Sequence, residues 1–300
     1  MSRLSLTVPV LVGAALLTLA GCGDDGGGSA AADGKVAVVA STNVWGSVVR
    51  AVGGDEVSVE SLIDDAAGDP HAHPDKPEDA AALADADLAV YNGGGYDEFF
   101  TKLADSTGAD LRRIDAFAVS GLPDGENEHV WYDLPTVRKV ADETAAQLAA
   151  IDPAHKDVFA ANADRFGARL DDLAAKAEQV GRSKPGAKVV ATEPVAHYLL
   201  EAAGLTDATP AEFSEAVEEE TDPPVAAVVR TTDLITDKQV VALVNNAQTE
   251  TAITDSLTDA AKTAGVPVVT VTETLPEGVT DYVEWMTKQL DALAAALSKA

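Results

Sequence analysis

Five histidines occur in 300 residues, and two of them, His71 and His73, stand two apart in the segment GDPHAHPDKPED. An imidazole can act as a general base or give a ring nitrogen to a metal. Prolines at 70, 74 and 77 rule out a helix interior or a central strand here, so both rings ride on a stiff loop. Further metal-ligating chemistry stands at His129 in the loop EHVWYDLP, at Glu193 ending KVVATE and at Glu273 ending VPVVTVTE. Two neutral imidazoles and two carboxylates balance the charge of a divalent cation, and nitrogen with hard oxygen suits Zn²⁺ or Mn²⁺. Each residue also has a plainer reading: His129 as a loop histidine, Glu193 as a strand-end acid before Pro194, Glu273 as a helix cap.

Other chemistries find less support. Cys22 is the single cysteine, which excludes an intramolecular disulfide and a cysteine-based zinc site. No H-E-x-x-H occurs, nor a G-x-S-x-G with triad spacing, so a metal-dependent or serine hydrolase lacks its motif. A formal charge of −29 repels phosphate backbones and anionic lipid, which argues against nucleic-acid binding. His155 falls in the first turn of a long helix and reads as solvent-facing. His197, on the helix after Glu193, reads as a packing or orienting partner. Trp45, Trp131 and Trp285 read as core or cleft-lining residues.

The elements that must position these residues follow from hydrophobic period and punctuation. KVAVVAST (35–42) reads as a buried strand, with Asn43 as N-cap of a helix that stops at Gly53-Gly54. EVSVESLI (56–63) alternates like a strand, Pro77 opens a helix, and DLAVYNGGG (87–95) is a strand stopped by glycines. Residues 119–130 read as loop, and PTVRKVADETAAQLAAI as a helix. From Pro153 to about Gly181 a longer helix carries Val158, Phe159, Phe166, Leu170, Leu173, Ala177 and Val180 on one face. A second alternating section follows: strands at 187–194, 240–246 and 266–273, with helices at AHYLLEAAG, behind Asp222, at TAITDSLTDAAKTAG and at the C-terminus. The expected fold is therefore α/β: two Rossmann-like lobes with mainly parallel sheets, joined by one long rigid helix. In such sheets ligands bind beyond the carboxyl ends of strands, where the four candidate ligands fall, two in each half.

The N-terminus carries a separate message. Residues 1–21 have Arg3 near the start, an apolar run and small residues before the cysteine, the outline of a secretory signal. Leu19-Ala20-Gly21-Cys22 resembles the bacterial lipoprotein cleavage box, in which the cysteine is lipidated and becomes the new N-terminus. DDGGGSAAADG then reads as a flexible tether.

Together these features resemble the metal-binding solute receptors of ATP-driven (ABC) transporters that serve zinc and manganese uptake. GDPH with downstream proline and acid resembles that family's first histidine motif, and EHVWYDLP its second. ATEPVAHYLLEAAGL resembles the segment where a ligand lies five residues before a tyrosine, which selects Glu193 from Tyr198. VPVVTVTETLPEGVTDYVEWM resembles the C-terminal segment that ends a strand with an acid, usually aspartate. The resemblance thus implies a metal site of His71, His129, Glu193 and Glu273, with His73, His197 and Asp281 as reserve or orienting groups. It implies a lipid-anchored monomer on the outer face of the cell membrane, with a permease and its ATPase as partners, and no enzymatic activity. The implied organisation is a signal at 1–21, a tether at 22–34, a lobe at 35–152, a linking helix at 153–182 and a lobe at 183–300. The chain lacks the His-rich loop common in zinc members, as manganese members do, while intrinsic affinity favours zinc. Siderophore and cobalamin receptors, which share the two-lobe plan, are the alternative, with a metal-dependent hydrolase behind them.

Overall fold

Seven residues, VAVVAST, are buried along almost their whole length and form β1 (Val36–Thr42). Such a run suits the middle of a parallel sheet covered on both faces, and β1 pairs on both sides. The computed structural model describes residues 34–65, 73–74, 76–108 and 111–299. After β1 come α1 (Asn43–Gly53), β2 (Val57–Ile63), α2 (Pro77–Ala84), β3 (Leu88–Tyr91), α3 (Glu98–Ser106), β4 (Arg112–Asp115) and α4 (Ala116–Ser120). All pairings in this sheet are parallel, in the order β2-β1-β3-β4.

Two helices then leave the sheet, α5 (Leu134–Ile151) and α6 (Lys156–Ser183). The second lobe runs β5 (Lys188–Ala191), α7 (His197–Ala202), β6 (Thr206–Asp207), α8 (Ala211–Glu218), α9 (Val225–Thr236), β7 (Ala242–Asn246), α10 (Ala252–Ala264), β8 (Val268–Val271) and α11 (Tyr282–Lys299). Its sheet order, β6-β5-β7-β8, repeats that of the first lobe, again parallel throughout. The expected two-lobe α/β architecture is the one observed.

Helix α6 has 28 residues, a rod of roughly 42 Å at 1.5 Å per residue. Its buried stripe is Phe159, Ala163, Phe166, Leu170, Leu173, Ala177 and Val180, spaced by three and four. Val158, expected on that face, is 43% exposed, because the stripe starts from Phe159 and its neighbour points away. The stripe packs on α5, α1 and α11. One hydrophobic cluster therefore runs from Val38, Trp45 and Val48 in the first lobe through α6 to Val189, Leu199 and Leu290 in the second.

Polar bonds also tie the lobes. The expectation that Asn43 caps α1 fails: Thr42 holds the cap position with extended backbone and no capping side-chain bond. The Asn43 amide instead accepts from Leu275 N at 2.9 Å and donates to Leu275 O at 3.2 Å, satisfying a buried backbone pair in the other lobe. Likewise α9 is capped at Pro224, not Asp222. Ser47 Oγ donates to Thr280 O and accepts from Tyr282 N, at 3.0 and 2.9 Å. Trp131, Tyr132, Trp285 and Tyr282 form an aromatic row across the junction, with ring centroids 5.5–6.3 Å apart in successive pairs.

Near its end α6 meets the second lobe at Gly181, where an added Cβ would lie 1.8 Å from the Ala203 carbonyl oxygen. Backbone cannot give way as a side-chain tip can. Gly181→Ala should cost about 1–3 kcal/mol and lower the thermal midpoint by several degrees. A melt followed by circular dichroism with no shift would mean that α6 and the second lobe are not docked this closely.

Candidate metal centre

The site begins with a turn that only glycine can make. Strand β3 ends at Tyr91, and Gly93, Gly94 and Gly95 follow with φ of 74°, 68° and 102°. A Cβ on Gly93 would sit 2.2 Å from an Asp115 oxygen, so space as well as conformation demands glycine. Asp97 ties the turn by accepting from Asn92 N at 2.7 Å and Gly93 N at 2.8 Å. The tied turn drives Tyr96 inward, and its hydroxyl donates to Glu273 Oε2 at 3.0 Å.

His129 stands just before a short 3₁₀ turn, Val130–Tyr132, and its side chain has no exposed surface. Its ring lies against Trp131 and Tyr96, with centroids 5.0 and 6.0 Å away. Asn127 Oδ1 accepts from the His129 backbone N–H and stands 2.9 Å from Nδ1. The same amide donates to Pro194 O at 2.8 Å, which fixes which end is oxygen. Nδ1 is therefore the donor, so in the neutral ring the lone pair falls on Nε2. Nε2 is buried 3.2 Å from Glu218 Oε1, with which the protonated ring forms an ion pair.

The second lobe supplies carboxylates from the ends of β5, β8 and α8, and neutral partners from the end of β7. Glu193 follows β5, and both its oxygens lie within 2.6 Å of Thr249 Oγ1. Glu273 lies two residues past β8, and its Oε1 accepts from Asn246 Nδ2 at 2.8 Å. Asn246 Nδ2 also reaches Thr249 Oγ1 at 2.9 Å, joining the two acids in one network. Gln248 Oε1 accepts from the backbone N–H groups of Glu273 and Thr274, which holds the loop after β8. Glu128, His129 and Glu218 form a group of ligand atoms within 4.8 Å of one another.

Burial lifts the Glu193 carboxyl, the Thr249 bond restrains it, and the charges of Glu218 and Glu273 add to the rise, to about 7. For His129, burial works downward but is outweighed by Glu218, Glu273 and Glu128, which raise it to about 8. A cleft that retains protons in this way holds more negative charge than it can stabilise alone, and it would accept a cation.

The structure brings together His129, Glu193 and Glu273 of the residues expected from sequence. His71 and Cys22 lie outside the described residues. His73 is turned away from the cleft: its Nε2 is 2.8 Å from Asp79 on α2, and its ring lies 4.4 Å from Phe99 on α3. Asp281 makes a two-pronged ion pair with Arg169 on α6, at 2.7 and 2.9 Å, which commits both oxygens to the lobe junction. His197 is exposed on α7, its ring beside Tyr198. His155 pairs with Asp152 at 2.5 Å and lies 3.6 Å from Glu56 on the surface. Sequence reasoning missed Tyr96, Asn127, Glu218, Asn246 and Thr249. The glycine run pointed toward Tyr96; Glu218 hides in the acidic run VEEE of a chain with 50 acids.

Known proteins match this architecture. The family model described as periplasmic zinc-uptake complex component A matches residues 38–296. The metal ABC transporter substrate-binding lipoprotein FimA of Streptococcus parasanguinis is 31% identical over 199 residues, 61% of this chain and 64% of that protein. The manganese ABC transporter substrate-binding lipoprotein PsaA of Streptococcus anginosus is 30% identical over 58% of this chain and 61% of its own length. The match thus spans less than two thirds of these relatives. The periplasmic zinc-binding protein TroA of Treponema pallidum shares the fold, with a TM-score of 0.73 at 19% identity, over 88% of this chain and 99% of that one.

The two raised groups act on stability in the same direction. Stabilisation from the protonated Glu193 is complete below 4.5 and is lost as pH rises through about 7. That from His129 is complete below 6.5 and is lost through about 8. Metal-free protein should therefore lose a few kcal/mol of urea stability as pH rises from about 5 to 8.5. Glu193→Gln should flatten the lower part of the fall, and an unchanged profile in that variant would refute the assignment.

Proposed function

The chain belongs to the periplasmic zinc-uptake complex component A family, and from that premise we propose that it is the solute-binding component of an ATP-driven metal transporter. Its cargo is a divalent cation, Zn²⁺ or Mn²⁺, taken between the two lobes and passed to a permease driven by its ATPase. The observation that carries this reading is one cleft uniting a buried imidazole, whose lone pair is fixed on Nε2, with carboxylates that accept from neutral donors. Donors buried this deeply suit a bare ion better than a large chelate. His71 is the fourth ligand in this reading. The metal named for PsaA supports manganese, and the family description supports zinc. The role is capture and release, not catalysis.

We further assign residues 1–21 to a lipoprotein signal, Cys22 to lipid attachment and 22–34 to a tether. The lobes are assigned to 35–152 and 183–300 around the helix at 153–182. The relatives named as lipoproteins support the anchor. No helix among the described residues is long and apolar enough to cross a membrane.

Purified protein stripped with chelator should bind one equivalent of Zn²⁺ or Mn²⁺ in equilibrium dialysis and melt higher with either. Changing His71 and His129 together to alanine should weaken binding by at least about 100-fold, because half of the ligands are removed. Unchanged stoichiometry and affinity would refute the ligand set. Asn127→Ala, which frees the His129 ring to turn, should weaken binding roughly 10- to 100-fold without unfolding the chain. Replacing Cys22 with serine should abolish incorporation of labelled fatty acid and release the protein into the medium.

A further inference from the structure

Asn43 belongs to the first lobe, at the start of α1, yet its buried amide reaches into the second. It accepts from Leu275 N and donates to Leu275 O, at 2.9 and 3.2 Å, and the same nitrogen lies 3.4 Å from Asp64 O just past β2. Leu275 stands two residues after Glu273, and the chain between them is bonded at each step. Thr272 O accepts from the Tyr132 hydroxyl at 2.8 Å, and Gln248 Oε1 accepts from Glu273 N and Thr274 N. Thr274 Oγ1 in turn reaches Asp65 O at 3.4 Å. First-lobe groups therefore grip this loop on both sides of Glu273. Packing does not duplicate the grip at Leu275. Its side chain enters the shared core, but beyond it a groove of about 590 Å³ opens between the loop and the first lobe, lined by Asn43, Asp64, Pro276 and Val279.

We propose that Asn43 is a positioning residue for metal capture, holding the loop after β8 at the depth where Glu273 meets the cleft. The inference rests on the cation-receptor reading above, with Glu273 as one of the ligands. Asn43 touches no cation in it and acts through the backbone of Leu275. A ligand group must be held within about 0.5 Å of its productive place, and one residue of extended chain spans at most about 3.6 Å. Two residues are too few for the Leu275 backbone to move while Glu273 stays. Tyr96 marks the depth required, because its hydroxyl bonds Glu273 Oε2 at 3.0 Å while its ring lies beside that of His129. Since the clamp crosses between the lobes, holding the cation and holding the lobes together become linked, and each strengthens the other.

The test compares Asn43→Ala with Ser47→Ala on the full mature chain. Ser47 makes the neighbouring bonds between lobes, to Thr280 O and from Tyr282 N, farther along the chain from Glu273. Each variant loses two bonds across the junction, so mere loosening affects them alike. Dissociation constants for Zn²⁺ and Mn²⁺ are measured by chelator competition, with thermal melts of the metal-free chains as the stability control. Asn43→Ala should weaken binding of both metals roughly 10- to 100-fold, the range for groups that orient a ligand. Ser47→Ala should keep an affinity near that of wild type at a comparable fall in melting temperature. Wild-type affinity in Asn43→Ala, or an equal loss in Ser47→Ala, would overturn the assignment. Should Asn43→Ala fail to fold, hydrogen exchange in the wild-type chain decides instead. Added Zn²⁺ or Mn²⁺ should slow exchange of the Leu275 amide at least about tenfold more than that of Tyr282, and equal protection at the two would overturn the assignment. Wild-type protein that binds neither metal would sink the receptor reading itself, a result distinct from these.

Discussion

The 2.9 Å contact between His129 Nδ1 and Asn127 Oδ1 decides which nitrogen of a fully buried imidazole keeps its lone pair. That choice is not local. Asn127 is itself held from the second lobe, donating to Pro194 O and accepting on its own carbonyl from the Tyr198 hydroxyl at 2.7 Å. The ring of the first lobe is therefore aimed by the second. Pro194 adjoins Glu193, so one amide couples the orientation of the nitrogen donor to the strand end that carries an oxygen donor. A shift of either lobe would move both donors at once.

The partners chosen for the acids follow the same logic. Glu193 and Glu273 take their bonds from Thr249, Asn246 and Tyr96, all neutral. A lysine or arginine here would have satisfied the carboxylates and cancelled their charge. Lysine and arginine pairs lie elsewhere, as in Lys102–Glu98, Arg182–Glu178 and Arg169–Asp281. Neutral donors orient a carboxylate without neutralising it, so the field remains available to a cation. Desolvation makes this arrangement costly, as the raised proton affinity of Glu193 shows, and the nearby acids raise that of His129 against its own burial.

The sequence made the fold readable where elements are long or sharply punctuated. KVAVVAST and the glycine stop after β3 form as read, and so does the stripe on α6 apart from Val158. Short elements escaped: β4 reads RRID, mostly exposed on one side, and β6 has only two residues, so neither shows a period. Glu193 and Glu273 were legible because they follow strand ends, where a parallel sheet presents side chains to one side. His129 follows α4 and a loop and stood out only by its residue type. Asn43 and Asp281 were misread because local rules favour a cap or a spare acid. Their partners, Leu275 and Arg169, lie 232 and 112 residues away. Glu218 had no pattern to distinguish it from its neighbours, and only the path of α8 reveals it.

Helix α11 has a consequence for how the molecule is made. Its residues Trp285, Leu290, Leu293 and Leu297 belong to the same cluster as Val38 and Trp45 near the other end of the chain. A ribosome or export channel delivers the polypeptide from the N-terminus onward, so the first lobe emerges without the surface that completes it. Until residues 282–299 arrive, the face of α6 that packs on α11 stays uncovered, and such exposed apolar surface favours misassociation. Completion of the shared core waits on the last helix, so truncations there would remove core contacts even though no candidate ligand is lost.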